Sequence, residues 1–115
     1  MFTSEQKQTL VHAINHFGVE HQTKQALQEM GELIVELERR DTERFDRDHV
    51  VEEIADVIVT IGQLRIIYGA ERVDKIIDQK LDRLEWKMDG DWRRAARLHP
   101  LIYRKAKNID NHDQN

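Results

Sequence analysis

Apolar residues recur at helical spacing along most of this chain and nowhere alternate as a half-buried strand requires. Leu10, Val11, Ile14 and Phe17 form a first stripe. Thr3 or Ser4 is placed to cap it, with Gln6 three residues after Thr3 as in a capping box, and Gly18 ends it. A second helix is predicted to start at residues 19–22 and reach about residue 40, with Ala26, Leu27, Met30, Leu33, Ile34 and Leu37 on its apolar face. Gln25, Glu29, Glu32 and Glu36 gather on another face. Residues 41–48 read as a polar connection, with Phe45 packing back onto the helices.

The third helix is predicted over residues 49–68, with Asp48 as N-cap and Gly69 as its stop. Val50, Ile54, Val57, Ile58, Ile61 and Leu64 cover one broad face, and Ala55, Val59 and Ile66 carry apolar surface further round. Only Glu52, Glu53, Asp56, Thr60 and Gln63 break it, as a single polar stripe. A helix apolar nearly all round is a buried helix. In so small a chain this predicts burial on two sides, one of them by another subunit, with Val59 and Ile66 as contact candidates. A fourth helix over residues 70–88 has Val73, Ile76, Ile77, Leu81, Leu84 and Met88 as core positions. Asp91 is placed to cap a short fifth helix through residue 98, before Pro100. The expected architecture is all-α, a four-helix bundle-type subunit with a short extra C-terminal helix. Residues 1–107 would form a single domain, and residues 108–115 a disordered polar tail.

Composition narrows the classes. At 115 residues the chain suits one domain. A net charge of −4 argues against coating a nucleic acid through phosphate contacts. The absence of cysteine excludes disulfides, thiolate zinc sites and a cysteine nucleophile. No apolar run approaches the roughly 18 residues of a membrane span, and residues 1–7 lack the apolar core of a secretory signal. The expected setting is cytoplasmic.

The chemistry lies in two acidic pairs, Glu29-Met30-Gly31-Glu32 and Glu53-Ile54-Ala55-Asp56. A spacing of three puts both carboxylates of a pair on one helix face, about 5–6 Å apart at Cβ. One such pair alone reads as a solvated face. The second pair, however, sits on an otherwise apolar helix, where an uncompensated carboxylate is costly. Gly31 lies inside the first, where glycine costs about 1 kcal/mol relative to alanine unless a helix or ligand approaches closely. Together they point to a cation between two helices. The chain has no Glu-x-x-His of the kind di-iron bundles use. An all-carboxylate set favours Mg²⁺, with Mn²⁺ as substitute, and Mg²⁺ at such sites takes further ligands from water and substrate phosphates.

Glu29-x-x-Glu32, a linker of twenty residues, then Glu53-x-x-Asp56 resembles the MazG-like, all-alpha nucleoside triphosphate pyrophosphohydrolases. The Lys80-x-x-Arg83 step is similar to the basic step of the small stand-alone and phage-type members. The resemblance covers about residues 20–88. It implies hydrolysis of NTP or dNTP to the monophosphate and pyrophosphate with Mg²⁺, in a dimer or tetramer of helical bundles. On it, Glu29, Glu32, Glu53 and Asp56 become metal ligands, with Glu32 or Glu53 as general base. Gln22 faces the nucleotide, and Lys80 and Arg83 hold phosphate oxygens. In one departure, Gln28 stands where the family often has a first glutamate, which removes a water-orienting or outer carboxylate.

Other candidates have plainer readings. His12 and His16, four apart, lack a third ligand and read as a solvated pair. His21 and His49 lie near helix starts and suit capping or surface roles. Trp86 and Trp92 suit packing. Lys75, Lys80, Arg83 and Lys87 could equally pair with Glu71, Asp78, Asp82 and Glu85 along one helix. The alternative to the enzyme is a non-catalytic helical oligomerisation or interaction module with an acidic stripe.

Overall fold

A computed structural model describes residues 1–89 and 97. They are all-α, with no strand among them. The helices are α1 (Ser4–Phe17), α2 (Val19–Glu38), α3 (Arg47–Tyr68) and α4 (Ala70–Asp89). The expected fifth helix, Trp92 and the expected tail lie outside the described residues. The chain gathers into two compact units, Met1–Ala70 and Glu71–Asn115. The first holds α1, α2 and α3. The second, among the described residues, holds most of α4.

Local chemistry accounts for the helix ends. Thr3 caps α1 as predicted: its hydroxyl accepts from Gln6 N at 3.1 Å, and its own N–H donates to Gln6 Oε1 at 2.8 Å. Gly18 (φ 94°) and Gly69 (φ 113°) lie where an L side chain is strained, and each turns the chain within one residue. The start of α3 corrects the prediction. Asp46, not Asp48, is the N-cap: its Oδ1 accepts from Asp48 N at 3.0 Å and His49 N at 3.3 Å. Asp48 therefore sits in the first turn, and the α2–α3 connection, residues 39–46, begins and ends two residues earlier than expected. Thr42 tightens it, donating to Arg39 O at 2.6 Å and accepting from Arg44 N at 3.2 Å. Phe45 stays 40% exposed, so it packs back only in part.

Within the first unit α2 and α3 form the principal pair, and α1 lies against both. Gly62 on α3 permits that approach. A Cβ there would meet Phe2 Cε2 at 2.8 Å and Leu10 Cδ1 at 3.0 Å. Gly31 has nothing within 4 Å of an added Cβ among the described residues, so no described helix packs closely on it.

The covered faces are not those the apolar stripes predict. Leu10, Ala26 and Val50 are the buried apolar residues, whereas Gln22, Glu36, Glu53, Thr60 and Gln63 are buried polar ones. Leu27 is 63% exposed and Ile34 57%. Leu37, Ile54, Val59 and Ile61 are exposed as well, while Ile66, expected to face outward, is half-buried. On α4, Ile76, Ile77, Leu81, Leu84 and Met88 are exposed rather than core. Helical period identified the helices correctly, but α2 and α3 meet along a polar seam.

Gly31 allows a direct check. It lies mid-helix without a positive φ and faces open space. Gly31→Ala should stabilise the chain by about 1 kcal/mol through helix propensity and a less disordered unfolded state, seen as a higher Tm. A lower Tm would mean that something outside the chain packs on that face in solution.

Candidate metal centre

The seam places Gln22, Glu29 and Glu36 on one line of α2, two turns apart each time, opposite Glu53, Asp56, Thr60 and Gln63 of α3. Ligand oxygens of Glu29, Glu53 and Asp56 lie within 4.8 Å of one another. Glu53 is buried, Glu29 half-buried and Asp56 exposed. Glu32, exposed on the next turn of α2, is close enough to Glu29 and to Glu53 to share a proton with either. Three of the four acids of the two pairs thus come together across the seam.

The electrostatic cost is visible in two groups. Glu29 is raised above its ordinary pKa, first by burial, then by the neighbouring Glu32 and by the charge of Asp56; a donation from Gln25 opposes this. That hydrogen bond, Gln25 Nε2 to Glu29 Oε1, measures 3.0 Å. Glu53 is also raised, first by burial, then by the charge of Glu32, with His49 opposing and Asp56 adding. Glu53 is shielded by its immediate neighbours rather than by depth in a core. The Oε2 atoms of Glu29 and Glu53 are buried and have no hydrogen-bond partner among the described residues. A buried acceptor left without a donor costs about 1–3 kcal/mol, more when charged.

These observations fit a hard divalent cation. The donor set is all oxygen, it carries more negative charge than its surroundings offset, and two of its oxygens are aimed inward with nothing to accept from. Glu29, Glu53 and Asp56 could hold the ion directly, with Glu32 within reach. Gln28 donates to Glu32 Oε1 at 3.2 Å. The residue that departs from the family pattern therefore tethers one of the acids.

Other predicted residues fall elsewhere. Gln22 is buried, two turns from Glu29 along α2, and its amide donates to Gln63 Oε1 at 2.6 Å. Gln22 Oε1 lies 2.7 Å from His21 Nδ1. Its side chain thus locks α2 to α3 in this structure. Lys80, exposed, and Arg83, half-buried, lie on α4 in the second unit. His12 and His16 meet edge-on with ring centroids 6.1 Å apart, and no metal-ligating group forms around them among the described residues.

Two residues here were read differently from sequence. Glu36, grouped with Gln25, Glu29 and Glu32 on one face of α2 and given no role, is only 5% exposed. His49, assigned to a cap or surface role, reaches across the seam: its Nδ1 is 3.2 Å from Glu36 Oε1 and its Nε2 3.1 Å from Glu53 Oε1. The available signal was the position of Glu36 seven residues beyond Glu29, and of His49 four before Glu53. Compared with protein-family models, with curated proteins and with solved structures, the chain matches none.

The raised carboxyls predict a pH dependence. A carboxyl with a higher pKa folded than unfolded binds its proton more tightly when folded, so stability falls as pH rises through the window between the two values. Above that window the penalty is present in full. Without divalent cations, Glu29→Gln and Glu53→Gln should each raise Tm near neutral pH, with the advantage shrinking on acidification. Thermal melts of the metal-free proteins between pH 4 and 8 test this; variants that melt lower than wild type throughout would contradict it.

Proposed function

We propose that this chain is a Mg²⁺-dependent nucleoside triphosphate pyrophosphohydrolase, converting NTP or dNTP and water to the monophosphate and pyrophosphate. The observation that carries the reading is the convergence of Glu29, Glu53 and Asp56 in the α2–α3 seam, with buried oxygens that no donor satisfies. The resemblance of the four-acid motif to the MazG-like enzymes supplies the substrate class. A bound Mg²⁺, or Mn²⁺ in its place, would offset phosphate charge and lower the pKa of an attached water.

The chain's own residues would divide the remaining work. Glu29, Glu53 and Asp56 hold the cation from two helices, so its position follows from helix packing rather than from a loop. Glu32, exposed beside them, is the better general base of the two candidates, because it can reach solvent and substrate. Glu53 is enclosed and better suited to holding than to proton transfer. Gln28 keeps the Glu32 carboxylate oriented. Lys80 and Arg83 offer donors for phosphate oxygens, and Arg83 presents the planar fork suited to them. The Arg83 Nε is buried without a hydrogen-bond partner among the described residues.

Self-association belongs to the same reading. The exposed Leu27, Ile34, Leu37, Ile54 and Ile61 are the residues a second copy would cover. No described helix is long and apolar enough to cross a membrane, so a lipid phase is not their partner through a span. A cytoplasmic setting, where nucleotide and Mg²⁺ coexist, suits this activity. The alternative, a non-catalytic interaction module, accounts equally for the apolar faces. It leaves the carboxylates in the seam uncompensated.

Three measurements test the proposal. Glu53→Gln should abolish Mg²⁺-dependent pyrophosphate release from a panel of NTPs and dNTPs while the protein stays folded; near wild-type turnover at limiting Mg²⁺ would refute the assignment. Arg83→Ala should lower kcat/KM by roughly tenfold to a hundredfold, the weight of a charge-assisted hydrogen bond of about 1.5–3 kcal/mol, and leave Mn²⁺ affinity without nucleotide nearly unchanged. Unchanged kinetics would reduce Arg83 to an ordinary surface charge. Light scattering at micromolar concentration should give a mass above one chain, and a monomer mass would remove the self-association.

A further inference from the structure

We infer that His49 and Glu36 form a positioning clamp that presets the Glu53 carboxylate for its cation. The inference rests on the reading of the seam as a cation site, and it concerns residues which that reading does not use.

The clamp is a chain of contacts across the two helices. Arg39 Nη1 donates to Glu36 Oε1 at 3.0 Å from the end of α2. His49 Nδ1 lies 3.2 Å from the same oxygen, and its Nε2 lies 3.1 Å from Glu53 Oε1. One imidazole thus reaches a carboxylate oxygen of each helix. Glu36 and Glu53 are both more than nine-tenths buried, whereas the His49 side chain is 45% exposed. A partly exposed ring is therefore held between two enclosed acids on different helices.

The consequence for Glu53 is directional. His49 engages Oε1, and Oε2 is the buried oxygen without a donor. A carboxylate gripped at one oxygen cannot swing, so the other oxygen meets the cation without first losing rotational freedom. Arg39 offsets the charge of Glu36, which suits Glu36 to aim the ring rather than to bind an ion. The ring also lines, with Glu32, Glu36 and Glu53, an open groove of about 550 Å³. Partners of this kind around metal ligands typically change affinity or activity 10–100-fold when removed.

The sign of the effect separates this role from two simpler ones. If His49 is only a positive neighbour of the acids, its removal lessens repulsion of the cation, and Mn²⁺ binds more tightly. If the Glu36–His49–Glu53 contacts only join the helices, the metal-free protein melts lower but Mn²⁺ affinity is unchanged. A clamp makes affinity fall. The test is a calorimetric Mn²⁺ titration of the full chain, without nucleotide, on wild type, His49→Phe, His49→Ala, His49→Gln, Glu36→Ala and the Glu36→Ala/His49→Phe double variant, each with a metal-free Tm. His49→Phe keeps the ring and removes the nitrogens, and His49→Ala covers the case in which phenylalanine does not fold.

Phe and Ala at position 49 are expected to weaken Mn²⁺ binding about tenfold to a hundredfold. His49→Gln, with two N–H donors on one amide, should recover part of the loss, and the double variant should be no worse than the single ones, because the pair acts as one unit. Unchanged or tighter Mn²⁺ binding in folded His49→Phe and His49→Ala overturns the clamp while leaving the cation site standing. A folded wild type that binds no Mn²⁺ overturns the site itself, and the clamp with it.

Discussion

Carboxylates of like charge are held together between two helices that have little else to pack with. Glu29, Glu53 and Asp56 converge within a few ångströms, and Glu32 presses on two of them. Like charges in a site partly removed from water repel more strongly than at an open surface, since the screening solvent is displaced. Burial and mutual repulsion both push protons onto Glu29 and Glu53. A divalent cation held there, as proposed, would relieve both effects at once, because it would neutralise the acids and supply the partner that their inner oxygens lack.

The rest of the first unit is arranged around that seam. Gln22 and Gln63 join α2 to α3 at one end through an amide pair at 2.6 Å. Toward the other end, His49 of α3 reaches Glu36 of α2, which Arg39 also engages. Hydrogen bonds need defined geometry where apolar contacts do not, so this seam has little freedom to slip, and the acids keep their register. The turn centred on Thr42 keeps the connection short and puts the start of α3 beside the end of α2. That proximity lets a residue in the first turn of α3 reach Glu36.

A polar seam has a cost in core. With few apolar side chains buried among the described residues, hydrophobic burial contributes less there than the composition allows, and a small domain has little margin to lose. The apolar residues on the outer faces of α2 and α3 are the reserve. Covering them in an assembly would add the missing burial while leaving the acids facing each other. Metal binding and association would then be linked through the same two helices, one acting on their inner faces and the other on their outer faces.

Much of this was legible from the residues in order. Helical period, the Thr3–Gln6 box, Gly18 and Gly69 define the helices, because these signals act over one turn and need no partner. The acidic pairs were readable for the same reason, since a spacing of three fixes the face each pair shares. Facts about contact between helices were not legible. Apolar stripes on α2 and α3 name a face to be covered but not by what, and the chain turns its polar stripes inward instead. Asp46 rather than Asp48 caps α3, because the path of the preceding turn decides which of two aspartates two residues apart meets the first N–H groups. Glu36 carried no assigned role and His49 looked like a cap or surface residue, as each is ordinary along its own helix. Only the packing of α2 against α3 sets the imidazole between two buried carboxylates.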